Sequence, residues 1–209
     1  MEAQASLPQP EHGAGIFYFD LASPLCYLAA ELVSVALPAL RDWRAIPAAR
    51  LPVPPPAWEE RERRGIEREA QALGLLALRW PPRQPGELRQ ALLAATYARR
   101  VGRGIAFARA AFRQAFAGGH DLSDPDRLLI AGAACELHPT ALLRAGSSRP
   151  VAALLESDTA EAIAAGVREL PAVMTAGRAY CGWQEVSALC ANLRNDGADE
   201  LLGVAGGAP

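Results

Sequence analysis

Residues 16–29, Ile-Phe-Tyr-Phe-Asp-Leu-Ala-Ser-Pro-Leu-Cys-Tyr-Leu-Ala, constrain the fold more than any other stretch of the chain. The run Ile16 to Phe19 is apolar and aromatic, the composition of a buried strand. The chain then turns at Ala22-Ser23. Ser23 is suited to cap a helix, because its hydroxyl accepts from a backbone N–H in the first turn. Pro24 follows at the first helical position, where a missing N–H costs nothing. Leu25, Leu28, Ala29 and Leu32 then recur at three- and four-residue intervals, one face of a helix. The unit is strand, tight turn, helix, with Ser23 and Cys26 one turn apart at the helix N-terminus. That end carries free N–H groups and about half a positive charge, which favours a thiolate, an alkoxide or a bound anion. The plainer reading of the same residues is a capped strand-to-helix joint with a core cysteine.

The remaining composition excludes several classes. A chain of 209 residues suits one large domain, or a small one with a sizeable insertion. Its 51% hydrophobic fraction fits a globular core, and its net charge of −2 gives no pointer to nucleic acid or to an anionic membrane surface. No apolar run of about 18 residues is present, so no membrane span is expected. Residues 1–14 lack the apolar centre of a secretory signal, which makes a reducing cytoplasmic location the default. Cys26, Cys135, Cys181 and Cys190 form no C-x-x-C pair. The histidines His12, His120 and His138 are scattered, none at ligand spacing with a cysteine, so no metal is expected. Cys135 and Cys190 fall within apolar helical patterns and read as packing residues.

Along the chain, strands are expected at about 15–20 and 41–46, with a first helix over 24–37 ended by Pro38. Leu51-Pro52-Val53-Pro54-Pro55-Pro56 is a stiff connection, because proline lacks a donor and fixes φ. From Ala57 the pattern is helical, and the run Glu59 to Arg64 reads as a solvated face with internal ion pairs. Gly74 is placed to end that helix, and Leu75 to Leu78 reads as a short extended piece. Helices follow at 87–101 and about 105–116, the second with Phe107, Ala111, Phe112 and Phe116 as an aromatic stripe, either core or subunit contact. Gly118 to Asp121 is a turn, in which His120 is a loop residue or, with a partner, a base. Ser123 or Asp124 caps the next helix, Pro125 starts it, and a short helix follows Pro139. A long helix spans 149–167.

The second diagnostic stretch is Glu169-Leu170-Pro171-Ala172-Val173-Met174, a proline leading into an apolar strand. Ala176-Gly177-Arg178 is a hairpin turn, Ala179-Tyr180-Cys181 the returning strand, and a last helix covers about 184–194 before a Gly- and Ala-rich end.

Ser23-Pro24-Leu25-Cys26 resembles the Cys-Pro-x-Cys site of DsbA-like thioredoxin-fold proteins. Tyr18-Phe19-Asp20 through Ser23-Pro24 to Tyr27-Leu28 is similar, more specifically, to the start of 2-hydroxychromene-2-carboxylate isomerases and kappa-class glutathione transferases. In those families a serine replaces the first cysteine and acts at the thiol of bound glutathione. The resemblance covers about 15–194 and implies an α/β chain, a DsbA-like thioredoxin fold with a helical domain inserted in the middle. The thioredoxin-like part is 15–56 plus 149–194, the insertion 57–148, and 1–14 and 195–209 are flexible tails.

The resemblance also implies a cis-proline at Pro171, with the backbone of Leu170 offered to a thiol ligand. The catalytic candidates are Ser23 and Cys26. Ser23, Pro24, Leu170, Pro171, Gly182 and Gln184 are the candidates for binding glutathione or another low-molecular-weight thiol. The implied activity is a thiol-dependent isomerase or transferase acting on a small unsaturated, aromatic-derived molecule, with a homodimer plausible and no nucleic-acid or membrane partner. Two alternatives stand beside it: a thiol-disulfide oxidoreductase working through Cys26, and a non-catalytic binding protein. Two departures from the isomerase pattern bear on the choice. Cys181-Gly182-Trp183-Gln184 stands where the isomerases carry an aspartate for the glutathione amino group, so that carboxylate is missing or displaced to Glu185. Arg44-Ala45-Ile46 replaces their Arg-Pro-Phe.

Overall fold

β1, Ile16–Phe19, lies at the centre of a four-stranded sheet ordered β2-β1-β3-β4, with β2 at Asp42–Ala45, β3 at Ala172–Thr175 and β4 at Arg178–Cys181. The computed structural model describes residues 15–53, 55, 57–82 and 88–203, with side chains to residue 193. The expected tail at 1–14, the end beyond 203, Pro54, Pro56 and the helix start at Glu87 lie outside the described residues. β1 runs parallel to β2 and antiparallel to β3, and β3 pairs antiparallel with β4.

Both faces of the sheet are covered, which is why β1 is apolar at every position rather than alternating. Phe17 and Phe19 point to one side, where they pack on Trp43 at centroid distances of 4.8 and 6.3 Å. Tyr18 points to the other, among Ile46, Ala162, Val167 and Ala172. The Phe17 side is closed by α1, Pro24–Ala36, and α8, Gly182–Gly203, which pack on each other. The Tyr18 side is closed by α7, Arg149–Ala164, through Ala162. α8 begins two residues before the expected Gln184 and its backbone stays helical past 194.

Five α-helices separate β2 from α7 among the described residues: α2, Glu60–Ala72; α3, Arg89–Arg100; α4, Gly104–Phe112; α5, Pro125–Ala133; and α6, Pro139–Ala145. Their apolar residues Leu92, Phe107, Phe112 and Phe116 share one core with Phe17, Phe19 and Leu28. The aromatic stripe is therefore core, with each of its four members no more than 1% exposed. The expected helix through Phe116 changes form: α4 gives way at Arg113 to a π turn, Arg113–Ala117. That turn seats Phe116 against Tyr27 and Trp58, at 5.8 and 6.0 Å.

Other local readings meet the structure in detail. Asp124, not Ser123, caps α5, accepting from the Asp126 N–H at 3.0 Å. Gly74, at φ +69°, ends the turn after α2, a backbone conformation that favours glycine. Within the charge run, Arg64 pairs with Glu60, but Arg63 lies instead over the rings of Trp58 and Trp80, at 5.9 and 5.1 Å. Leu75–Leu78 joins no strand. On β4, the Arg178 guanidinium covers the Tyr180 ring at 4.5 Å. Among the described residues no helix is long and apolar enough to cross a membrane.

An ionic network fastens the inserted helices to the sheet. Arg99 of α3 reaches Asp42 of β2 at 2.6 Å and Asp158 of α7 at 2.9 Å. Arg44 of β2 bonds Asp158 at 3.2 Å and Glu161 at 2.8 Å. The Asp158 side chain is 3% exposed. Burial raises its carboxyl above the usual range, and the flanking Arg99 and Arg44 oppose that rise. Deleting one member of a buried network leaves the others uncompensated, at a cost of about 3 kcal/mol or more. Asp158→Ala is therefore expected to lower stability by about 3 kcal/mol in urea unfolding; a loss within experimental error would mean that the three elements are held by their apolar contacts alone.

Candidate active site

A buried carboxylate shapes the turn between β1 and α1. Asp20 is 5% exposed. Its Oδ1 accepts from the Ala22 N–H and its Oδ2 from the Ala48 N–H, both at 2.8 Å. The Ser23 N–H donates to the Asp20 carbonyl at 3.1 Å, closing the turn. Ser23 then caps α1, its Oγ accepting from the Cys26 N–H at 3.2 Å. A hydroxyl has two lone pairs and one donor, so accepting from Cys26 N–H leaves the Ser23 O–H able to donate, to a ligand or to the Cys26 thiol. Pro24 has no N–H, Cys26 and Tyr27 donate to Ser23 Oγ and the Ser23 carbonyl, and the Leu25 N–H has no partner among the described residues.

The β1–β3 register, Tyr18 against Ala172, carries the segment before β3 to the same end of the sheet as Ser23. There the Leu170–Pro171 peptide is cis, the isomer that the resemblance implies. Leu170 makes no backbone hydrogen bond among the described residues, as donor or acceptor. The Pro171 carbonyl accepts from the Gly182 N–H at 2.8 Å and so brings the start of α8 alongside.

These segments enclose a cavity of about 590 Å³, within the size range of small-molecule sites. Ser23, Leu170, Gly182 and Gln184 line it, and Leu25, Val53 and Trp183 add apolar wall. Pro24 and Pro171 are buried and do not line it. Among the described residues two carboxylates line the cavity and no cationic side chain does. Glu185 is committed, its Oε2 accepting from the Cys181 N–H at 2.9 Å. Glu169 has no partner among the described residues. Gly182 sits at φ +78°, and a Cβ there would stand 2.7 Å from Glu169 Oε1. Glycine at 182 therefore leaves the carboxylate room beside the helix start.

Cys26, the other catalytic candidate, takes a different place. It is fully buried in the core. Burial pushes its thiol up to about 12, against smaller opposing effects of the Ser23 hydroxyl and the Asp20 backbone. Near neutral pH such a thiol is almost wholly protonated, and it is the thiolate that attacks. Cys26 packs beneath Ser23 and is poorly suited to be a nucleophile.

Glu169, Cys181 and Trp183 line the cavity without having been singled out as site residues. Glu169 had one available signal, its position next to Leu170-Pro171. His120 sits in its expected turn, and no group of three His, Cys, Asp or Glu residues able to hold a metal ion occurs among the described residues.

The DSBA-like thioredoxin domain family model matches residues 16–194. The chain belongs to that family. Solved structures with the same fold include a 2-hydroxychromene-2-carboxylate isomerase, at TM-score 0.74 and 20% identity, covering 88% of this chain and 98% of that one. A probable DsbA oxidoreductase from Streptomyces coelicolor aligns at TM-score 0.69 and 17% identity, over 93% of this chain and 91% of that one. The cytosolic disulfide reductase DsbM from Pseudomonas aeruginosa, solved with GSH, aligns at 0.60 and 18%, over 87% and 98%. A search of curated proteins finds no match. At these identities the structures speak for the fold, and isomerases and oxidoreductases share it.

A direct check of the DsbA-like site is thiol alkylation. Iodoacetamide at about pH 8 is expected to leave Cys26 unmodified in the folded protein and to label it after unfolding. Peptide mass mapping that finds Cys26 labelled at equal rates in both states would contradict its burial.

Proposed function

We propose that this protein is a thiol-dependent isomerase or transferase of the 2-hydroxychromene-2-carboxylate isomerase type. Its cofactor would be glutathione or a closely similar thiol, and its substrate a small unsaturated, aromatic-derived molecule. One observation carries the reading: a serine, not a cysteine, stands at the open tip of α1, in a cavity bounded by the cis-Leu170–Pro171 segment.

The residues present fit such a cofactor. Leu170, whose backbone N–H and C=O have no partner among the described residues, offers a donor and an acceptor, the pairing an extended peptide uses. Glu169, without a partner among the described residues, supplies a carboxylate for an ammonium group. When bound, the thiol would supply a nucleophile that adds reversibly to the unsaturated substrate and so permits rotation about a former double bond. Ser23 would donate its O–H to the sulfur, and the Leu25 N–H and the positive end of α1 would add to the same field. Together these favour the thiolate and draw the thiol pKa down from about 8.5. Leu25, Val53 and Trp183 would exclude water from the sulfur, which strengthens each of these hydrogen bonds.

Disulfide exchange finds less support. It requires an accessible low-pKa thiolate, and the cysteines at 26, 135, 181 and 190 are all buried and form no disulfide. Cysteines without disulfides and a reduced-thiol cofactor both suit a reducing compartment, and the reading proposed here is a cytoplasmic protein.

The test separates the hydroxyl from the helix cap. Ser23→Asn retains a capping side chain but removes the O–H, and is expected to weaken glutathione binding or turnover at least about tenfold. Cys26→Ala, once its stability loss is allowed for, should leave both within about twofold. Glu169→Gln should weaken glutathione several-fold, while a glutathione analogue lacking the free amino group shows no change. The opposite ranking, with Cys26→Ala inactive and Ser23→Asn active, would support monothiol redox chemistry. If calorimetric titration of the wild type with low-molecular-weight thiols shows no heat of binding, the cofactor assignment fails.

A further inference from the structure

The charge around the Ser23 cavity is one-sided. Among the described residues that line it, Glu169 and Glu185 are the charged side chains. A third carboxylate lies behind the wall: Asp20 accepts from the N–H of Ala48, which lines the cavity, and from that of Ala22, beside Ser23. The arginines next in sequence to the lining residues do not offset these acids. Arg44 is bonded to Asp158 and Glu161, Arg50 to Glu156, and Arg178 covers the Tyr180 ring. Arg168 is exposed and does not line the cavity.

The start of α8 also lies at this cavity, and its positive end is met by the chain's own acids. Glu185 reaches back from the first turn to the Cys181 N–H, just ahead of the helix. Glu169 stands beside Gly182, the first helical residue, where a Cβ would lie 2.7 Å from its Oε1. The backbone that carries Glu169 is fixed on both sides. The Arg168 carbonyl accepts from the Val53 N–H at 3.0 Å, and the Pro171 carbonyl accepts from the Gly182 N–H at 2.8 Å. Glu169 is thus a positioned, half-buried carboxylate next to the Leu170 backbone, with no partner among the described residues.

Such a field discriminates among thiols. Glutathione brings two carboxylates and one ammonium group, and its thiolate adds a further negative charge. Its carboxylates would meet acids and no cation, and like charges repel more strongly as water is excluded. A thiol that carries an amine and no carboxylate becomes neutral overall when the sulfur ionises. Its ammonium meets Glu169 and, lying in the same small molecule, favours the thiolate at Ser23.

We propose that the thiol this site selects is an aminothiol, with an amine that pairs with Glu169 and with carboxyl groups absent or masked as amides; this rests on the thiol-cofactor reading of Ser23. The probes are glutathione, its diamide, in which both carboxylates are neutral, and the N-acetylated diamide. Each is titrated by calorimetry at low ionic strength and about pH 6.5, where an α-amino group is still protonated. The diamide should bind at least about fivefold tighter than glutathione, and N-acetylation should abolish that gain. Glu169→Gln changes a partly exposed side chain and should fold normally by circular dichroism. It should weaken the diamide about tenfold and leave the N-acetylated diamide within about twofold. Glutathione binding as tightly as its diamide, or a diamide indifferent to Glu169→Gln, overturns the aminothiol assignment and leaves the Ser23 reading standing. If none of the three thiols binds, both fall together.

Discussion

The antiparallel pairing of β1 with β3 is the constraint on which the rest of the structure depends. It matches Ile16 with Met174, Phe17 with Val173 and Tyr18 with Ala172, residues at opposite ends of the chain. Every feature of the Ser23 cavity follows from that match. The turn after Phe19 and the bend before Ala172 must meet at the same end of the sheet, because each lies immediately beyond the shared register. A slip of one residue would turn Phe17 and Phe19 away from Trp43 and put Tyr18 in their place. Three aromatic side chains thus hold the register that brings Ser23 and Leu170 to one cavity.

The helices between β2 and α7 act as more than a surface addition. They place Phe107, Phe112 and Phe116 in the core that holds Phe17 and Phe19, and Arg99 binds β2 and α7 together from α3. The two faces of the sheet are fastened by different physics. The Phe17 side relies on aromatic and aliphatic burial, which is non-directional. The Tyr18 side adds charged hydrogen bonds with fixed geometry, and these position α7 along β2.

What could be read from the residues was local. The apolar run of β1, the Ser23-Pro24 and Asp124-Pro125 helix starts, and the proline before β3 each carry their signal within a few positions. What could not be read depends on distance along the chain. Arg99 meets acids 57 and 59 positions away, and no short window marks that meeting. Glu169 becomes part of the cavity only because Gly182 is folded against it. Cys26 illustrates a different limit. Its spacing from Ser23 is that of a reactive pair, but reactivity depends on solvent, and α1 turns the thiol inward. The π turn at Arg113 depends likewise on where Tyr27 and Trp58 stand.

The Arg178–Tyr180 stack has a consequence for assembly. β4 is an outermost strand, four residues long, and its first residue is a cation folded over its own neighbour. Short, charged margins of this kind resist extension of a sheet by a further chain. The margin at β2 is occupied in turn by α3 and α4. Neither margin of the four-stranded sheet therefore favours pairing with a strand of another chain.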